Sequence, residues 1–569
     1  MTAAVAAIDA MLAEVRRGAE RWVAFPIERH IELLERVRER TAASAARWAT
    51  AAASAKGISG TPLAGEEWMS GPWGLLHALD RYLATLREIA RCGAPRIPPS
   101  RMRSGPGGRT VIDVFPADAW DALLLNGIHA EVWMRPSIDC ETILRTAGGW
   151  YRRSERRPRV CLILGAGNIS SIAPLDALYK LVAEGAACCV KLNPVNDYLG
   201  PIFEEIFAPL VECGALRFAY GGAEVGAMLC EHELIDEIHI TGSAQTHDAI
   251  VFGSGPEGAE RMRRNEPRLH KPITSELGNV SPTIVVPGPW SDADIRFQAE
   301  HVATQKLHNA GFNCIAAQVL ILSESWEGTP RLLAEVERLF ARLPARPPYY
   351  PGAPERLRAL VARRTGARCF GADGDAPLRA IAVVSPDGDD PLLSNEAFAS
   401  VLAVVLLPGS GDAFLREAVR FANEHLHGTL GANLIVHPRT AREDPGAIEE
   451  AILDLRYGCI AVNAWTGVGF LLADLPWGAY PGHTLDRVGS GIGVVHNARL
   501  LEGTEKGVVY GPFAPFPRSL AGYGATLLPK PPWFVTHRRQ AEIGAALCAF
   551  QHRKTPLRLA RIAALAATG

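Results

Sequence analysis

The sequence has almost no net charge and no long apolar run, and both absences exclude classes of function. Its 59 Lys and Arg residues are balanced by 61 Asp and Glu residues, so the formal net charge is −2. Nucleic-acid-binding proteins normally show a basic excess or stripe, so no nucleic-acid partner is expected. The sequence contains no uncharged apolar run of ~18 residues, so no transmembrane helix is expected either.

The cysteines are not spaced along the sequence as in typical metal-binding or disulfide-rich proteins. The eleven cysteines are spread from Cys92 to Cys548, and no C-x-x-C pair occurs among them. This argues against a zinc ribbon, a thioredoxin-type motif and a disulfide framework, and no metal site is predicted. Asp9 and Glu14 interrupt the first apolar stretch, which also lacks a basic n-region, so it is not a secretory signal. Free thiols in a reducing cytoplasm fit this pattern best.

Several catalytic motifs are missing as well. The sequence has neither the G-x-S-x-G elbow of a serine hydrolase nor the G-x-x-x-x-G-K-[ST] loop that cradles phosphates. The run G-A-G-N-I-S at 165–170 follows a predicted strand, but Ser170 stands where a dinucleotide fingerprint has its third glycine. As a nucleotide-binding signature this run is therefore weak.

The hydrophobic pattern predicts helices first and alternating strands and helices afterwards. Residues 1–93 read as helical, with Gly57 closing the main helix. Short strands at 109–115 and 129–134 could form a β-arm. From Val160 three successive β-α units predict a doubly wound parallel sheet, which binds ligands at the carboxyl ends of its strands. A second α/β block begins near residue 281, and the Pro-rich run 341–357 is interpreted as a local linker.

Five motifs occur in an order that resembles the NAD(P)-dependent aldehyde dehydrogenase superfamily, over about residues 160–495. They are G-A-G-N (165–168), T-G-S (241–243), T-S-E-L-G-N-V-S-P (274–282), N-A-G-F-N-C (309–314) and N-E-A-F-A-S-V (395–401). The resemblance implies an α/β fold with two doubly wound domains, cofactor-binding and catalytic, plus a small β-arm for oligomerisation.

The resemblance also implies a division of the chain. Residues 1–278 would form the cofactor-binding domain, with 109–157 leaving it as the β-arm. Residues 279–480 would form the catalytic thiol domain, and residues 481–569 would return to the cofactor domain and form an oligomerisation tail. The implied assembly is a cytoplasmic homodimer or homotetramer.

The resemblance assigns the catalytic roles to three residues. Cys314 is the nucleophile, because a thiolate attacks an aldehyde carbon far better than any neutral side chain does at neutral pH. Asn168 and the backbone N–H of Cys314 stabilise the resulting oxyanion. Glu276 is the general base that activates water for hydrolysis of the thioester. The implied enzyme oxidises an aldehyde to a carboxylic acid.

The implied cofactor is NAD or NADP. Lys191 corresponds to the lysine that holds the adenosine ribose, Gly242 and Ser243 to the turn at the pyrophosphate, and Glu396 and Phe398 to the pair at the nicotinamide ribose. Many NAD-preferring members have an acidic residue at the position of Pro194, and its absence makes NADP at least tolerable.

Two departures keep other interpretations open. Ala166 and Gly167 replace the family's Pro-Trp before the oxyanion asparagine, as in fatty acyl-CoA reductases of the bioluminescence type. Such an enzyme would run the thioester step in reverse on an acyl thioester. A catalytically silent scaffold with the same fold is the second alternative, although it would not need all of the reactive residues. Residues 257–268 form an insertion, predicted to be a surface loop.

Overall fold

The computed structural model describes residues 2–344, 346–362, 364–373, 376–521 and 525–569. The N-terminal helices, which the periodicity predicts, are Thr2–Ala24, Ile27–Ala55, Ala64–Trp68, Met69–Trp73 and Gly74–Cys92. The second of these ends at Ala55, Lys56 is its C-cap, and Gly57 follows with a φ of +66°. Glycine adopts this left-handed conformation without steric cost, so the predicted stop signal is confirmed.

A six-stranded sheet contains the β-α units that begin at Val160. Its strands in spatial order are Gly491–Ile492, Ile273–Leu277, Glu237–Gly242, Val160–Leu164, Ala187–Lys191 and Leu216–Ala219. All pairs are parallel except that of the short first strand. The chain order reverses at Val160–Leu164, and such a switch point is where doubly wound sheets bind ligands. Residues 165–168 follow this strand directly.

A second, eleven-stranded sheet carries the nucleophile loop. Its strands in spatial order are Met102–Ser104, Thr110–Phe115, His129–Met134, Thr504–Tyr510, Cys459–Val462, Gly431–Ile435, Ser281–Val285, Ala317–Ser323, Val401–Leu407, Ala376–Val383 and Arg368–Asp373. The central strands pair in parallel and are almost fully buried, which explains their near-continuous apolar sequences.

Helices flank both sheets. The helices that connect strands of the smaller sheet along the chain are Ile172–Ala183, Gly200–Ile206, Ala208–Glu212, Ala223–Glu231, Ala244–Val251 and Gly255–Arg264. In the block after residue 281 they are Asp292–Leu307, Gly328–Arg342, Ala353–Ala362, Pro391–Ser394, Gly411–His425, Pro438–Glu443, Pro445–Asp454 and Thr466–Leu471. The others are Ala119–Leu124, Cys140–Thr146, Gly149–Arg152, Gln540–His552 and Pro556–Ala566.

The strands predicted for a β-arm are joined to the larger sheet of the same chain. His129–Met134 pairs antiparallel with Thr504–Tyr510, which itself pairs parallel with Cys459–Val462. The segment after residue 480 therefore supplies one strand to the larger sheet and another, Gly491–Ile492, to the smaller one.

The insertion at 257–268 is helical over most of its length, so the prediction of a surface loop is wrong there. Helix Gly255–Arg264 contains the ion pairs Arg261–Glu257, Arg263–Glu260 and Arg264–Glu260 at spacings of three and four residues. Such spacings place opposite charges side by side on a helix and stabilise it. None of the helices among the described residues combines the length and apolar character needed to cross a bilayer.

Candidate active site

Cys314 and Glu276 are in direct contact although they come from different sheets. Cys314 lies in the loop before strand Ala317–Ser323 of the larger sheet, and Glu276 lies within strand Ile273–Leu277 of the smaller one. The Sγ atom of Cys314 donates a hydrogen bond to Oε1 of Glu276 at 3.1 Å. The fold thus brings together a thiol and a carboxylate that the sequence places in separate motifs.

Burial changes the acidity of both groups. Glu276 is 2% exposed, and burial together with the negative charge of Asp176 raises its pKa to about 7. Burial and the adjacent Glu276 carboxylate raise the pKa of the Cys314 thiol well above its usual value. The resting thiol therefore keeps its proton, while Glu276 is divided between its protonated and ionised forms at neutral pH. A pKa close to the working pH suits a general base.

Asp176 is a contributor to this site that the motifs do not indicate. It lies on helix Ile172–Ala183, is 1% exposed, and accepts a hydrogen bond from the hydroxyl of Thr241 at 3.0 Å. Nε2 of His239 lies 3.5 Å from the same carboxylate. An acidic residue within a mostly apolar helix was the available sequence signal, since a charge at such a position needs buried partners.

Asn168 lies in the turn after strand Val160–Leu164 and lines the same cavity as Cys314. Its side-chain Nδ2 donates a hydrogen bond to the backbone carbonyl of Phe312 at 2.9 Å. This bond ties the oxyanion-asparagine turn to the nucleophile loop. The three residues predicted to be catalytic are therefore gathered in one place.

A buried polar network holds the backbone of that turn, and sequence reasoning missed it. The carbonyl oxygen of Asn168 accepts hydrogen bonds from Lys56 Nζ at 2.9 Å, Asn309 Nδ2 at 3.1 Å and the Tyr349 hydroxyl at 3.1 Å. The ammonium of Lys56 is itself paired with the buried carboxylate of Glu67 at 2.8 Å. Buried charges are tolerated when they are paired in this way. The only sequence signal was the scarcity of lysine, of which the chain has eight.

The Pro-rich run 341–357, interpreted as a local linker, lies between helices Gly328–Arg342 and Ala353–Ala362 and also contributes to this network. Tyr349 donates a hydrogen bond to Oδ1 of Asn309 at 3.0 Å. Arg346 forms an ion pair with the buried Glu66 at 2.8 Å, and Glu66 accepts a hydrogen bond from the backbone N–H of Asn309 at 3.0 Å. Asn309 has a φ of +53°, and these contacts hold it in that uncommon conformation.

The residues predicted for the adenosine and pyrophosphate end lie at one edge of the smaller sheet. Lys191 ends strand Ala187–Lys191, and burial lowers the pKa of its ammonium. Gly242 ends strand Glu237–Gly242, and the hydroxyl of Ser243 accepts a hydrogen bond from the backbone of Thr246 to cap the next helix. Both strands neighbour Val160–Leu164, so these groups surround the switch point.

The residues predicted for the nicotinamide ribose, Glu396 and Phe398, lie near the nucleophile loop and the general-base motif. Burial raises the pKa of Glu396 to about 8, and its Oε1 atom has no hydrogen-bond partner among the described residues. A Cβ atom at Gly278 would lie 2.2 Å from Glu396 Oε2, so only glycine allows this approach. The ring of Phe398 packs against those of Phe312 and Tyr350, at centroid distances of 5.5 and 4.9 Å.

These two groups of residues fit a dinucleotide. A free, buried carboxylate oxygen is an acceptor suited to ribose hydroxyls, and a lysine at a strand end suits the other ribose. The sequence model of the aldehyde dehydrogenase family matches residues 152–478. The chain belongs to the aldehyde dehydrogenase family. Its predicted identity as an NAD(P)-dependent aldehyde dehydrogenase with NAD or NADP as cofactor is thereby confirmed.

Comparison with known aldehyde dehydrogenases supports this result. The chain is 26% identical over 395 residues to aldehyde dehydrogenase family 3 comG of Dictyostelium discoideum, which covers 64% of this chain and 74% of that one. It is 26% identical to coniferyl aldehyde dehydrogenase of a Pseudomonas species over 50% of this chain and 58% of that one.

The fold is also that of solved aldehyde dehydrogenases, which confirms the predicted α/β architecture. One of them is aldehyde dehydrogenase C from Pseudomonas syringae, a mutant in complex with NAD+ and octanal. It superposes with a TM-score of 0.57 at 17% identity, over 90% of both chains.

Proposed function

We propose that Cys314, Glu276 and Asn168 carry out the aldehyde oxidation of this enzyme. The observation that supports this proposal is the 3.1 Å contact between the thiol and the carboxylate. Ionised Glu276 takes the thiol proton as Cys314 Sγ bonds to the aldehyde carbon, which forms a thiohemiacetal. Bound NAD or NADP supplies the hydride acceptor for conversion of this adduct to a thioester.

Hydrolysis of the thioester is the second task of Glu276. After Glu276 has released the thiol proton to solvent, its carboxylate removes a proton from a water molecule, the resulting hydroxide attacks the acyl carbon, and the Cys314 thiolate leaves and takes that proton from Glu276. The product is a carboxylic acid. The Oε2 atom of Glu276, which has no hydrogen-bond partner among the described residues, is available to accept the proton of this water.

Asn168 and the backbone N–H of Cys314 stabilise the oxyanion in both steps. An Asn amide carries two hydrogens, and Asn168 donates one of them to Phe312, which leaves the second for the substrate oxygen. The network around Lys56 fixes the turn, so the donor needs no reorganisation during the reaction.

We expect Asn168→Ala to lower kcat by about 100- to 1000-fold, because one oxyanion donor is lost. Steady-state kinetics with a saturating aldehyde measure this loss. The matched control is Asn423→Ala, which removes another amide–carbonyl hydrogen bond outside the cavity. A loss of less than threefold in Asn168→Ala, or an equal loss in the control, would contradict the assigned role.

Lys191, Gly242, Ser243, Glu396 and Phe398 are proposed to hold the cofactor. Lys191 would hold the adenosine ribose, and Gly242 with Ser243 would border the pyrophosphate. The Oε1 atom of Glu396, which has no partner within the part of the chain that the structure describes, would accept hydrogen bonds from the nicotinamide ribose, beside Phe398. We also propose a cytoplasmic homodimer or homotetramer; the eleven cysteines, all free in the structure, are consistent with a reducing compartment.

The direction of the reaction is tested by its products. Purified enzyme with an aldehyde and NAD or NADP is expected to yield one carboxylic acid for each reduced cofactor. The reverse assay, with an acyl-CoA and reduced cofactor, is expected to yield no aldehyde. Turnover only in the reverse assay would identify an acyl-CoA reductase, and silence in both assays with cofactor still bound would favour the scaffold.

A further inference from the structure

An apolar cavity opens at Cys314. The cavity and the open solvent at its mouth together take up about 1060 Å³. Cys314 and Asn168 form part of its wall, together with the aromatic side chains of Trp465, Phe470 and Trp477. The described residues that line it include no Asp, Glu, Lys or Arg.

The end of the chain completes this wall. Leu528 and Trp533 precede the last two helices, and Leu547 and Ile562 come from helices Gln540–His552 and Pro556–Ala566 themselves. The two helix residues are 6% and 5% exposed and belong to a packed apolar cluster. The segment beyond residue 500, which matches no motif of the family, therefore shapes the space in front of the thiol.

The lack of charge in the wall restricts the ligand. A carboxylate, phosphate or ammonium placed in this cavity would lose its hydration without gaining an ionic partner, which costs several kcal/mol. Besides the indole N–H groups of its tryptophans, the polar side chains of the wall are Ser70, Asn168, His308, Asn313 and Cys314, and the last four belong to the oxyanion turn and the nucleophile loop. A ligand with an aldehyde group at the Cys314 end of the cavity and a hydrocarbon chain along the rest of it matches both the polar and the apolar regions of the wall.

A second cavity adjoins the first at Trp533. Leu125, Leu528 and Trp533 line both cavities, and the second is also lined by Phe297 and Phe534. The indole of Trp533 thus stands in the wall that the two share.

We propose that the substrate is a long-chain aliphatic aldehyde whose hydrocarbon chain lies against the C-terminal tail, with Trp533 limiting its length. This inference rests on the proposed function, since it places the aldehyde carbon at Cys314. Burial of each methylene is worth about a fourfold gain in binding, so kcat/KM should rise with chain length until the cavity is full.

The test is kcat/KM for straight-chain aldehydes from propanal to dodecanal, measured with the full-length enzyme and NAD or NADP. We expect a rise of about two- to fourfold per methylene over the middle of the series. An aldehyde of the same length that ends in a carboxylate should be at least 100-fold poorer than the unsubstituted chain. A flat or falling series, or equal use of the carboxylate-ended chain, would overturn the inference.

Two variants test where the hydrocarbon chain of the substrate lies. Leu547→Trp fills the cavity and should lower the dodecanal-to-propanal ratio of kcat/KM at least tenfold. Leu557→Trp on the neighbouring helix is the control, because Leu557 is 82% exposed, and it should leave the ratio unchanged. Trp533→Ala joins the two cavities and should move the preferred length to longer chains, which keeps the test decisive if Leu547→Trp fails to fold.

The outcomes separate this inference from the proposed function. If short aldehydes are oxidised and the ratio is the same in the wild type and both cavity variants, the long-chain assignment is wrong while the catalytic roles stand. If no aldehyde of any length is oxidised, the proposed function itself fails.

Discussion

Cys314→Ala is expected to reduce aldehyde oxidation to the background rate while the protein remains folded and binds cofactor. The thiol supplies the bond on which both chemical steps depend, and alanine offers no nucleophile in its place. Alanine also fits the space, since Cys314 is only partly buried and its Sγ makes one hydrogen bond, to Glu276. Stopped-flow measurement of reduced cofactor, with a detection limit well below one equivalent per site, reads out the loss.

Cys459→Ala is the control for this variant. Cys459 is a buried cysteine in strand Cys459–Val462 that does not line the Cys314 cavity, and its loss should leave turnover within about threefold of the wild type. Retained activity in Cys314→Ala would show that another group attacks the aldehyde.

Glu276→Gln is expected to lower steady-state turnover by about 100- to 10,000-fold, because the general base is lost. The wild type should also show kcat/KM rising about tenfold per pH unit below pH 7 and levelling above it, since the ionised form acts as base and the pKa of Glu276 is about 7. The variant should lose this dependence. Rates across pH 5–9 measure both effects.

Glu237→Gln provides the comparison for the base. Glu237 is a buried carboxylate on the neighbouring strand, but it pairs with Arg159 rather than with the thiol. It should keep the wild-type pH profile. If Glu276→Gln kept the rise of kcat/KM with pH below pH 7, a group other than Glu276 would be the one that titrates and acts as base.

Strands and helices could be predicted from the sequence where residues close together in the chain determine them. The apolar run at 160–164 coincides with strand Val160–Leu164, and Gly57 follows the end of helix Ile27–Ala55. The charged insertion shows the limit of this reasoning. Its Glu-Arg spacings favour the helix that forms, but charge and length alone suggested a loop.

The contacts that complete the site could not be predicted, because they join residues far apart in the chain. Lys56 lies at the end of an N-terminal helix, 112 residues before Asn168, whose carbonyl it holds. Arg346 and Tyr349 reach the same loop from a Pro-rich run. Trp533 and Leu547 line the cavity only because the last helices fold back onto it. Periodicity and motif spacing carry no information on such packing.

The most direct test of the account is the mass of the enzyme after a single turnover of Glu276→Gln with an aldehyde and NAD or NADP. The neutral Gln side chain no longer raises the pKa of the Cys314 thiol, so a fraction of Cys314 ionises without the base and reacts with the aldehyde, more slowly than in the wild type. Hydrolysis of the thioester is blocked, so the acyl group should stay on the enzyme. We predict a mass increase of one acyl group per chain, found by peptide analysis on Cys314. Formation of reduced cofactor without an acyl group on Cys314, or with the acyl group on another residue, would contradict the assignment of Cys314 as nucleophile and Glu276 as base.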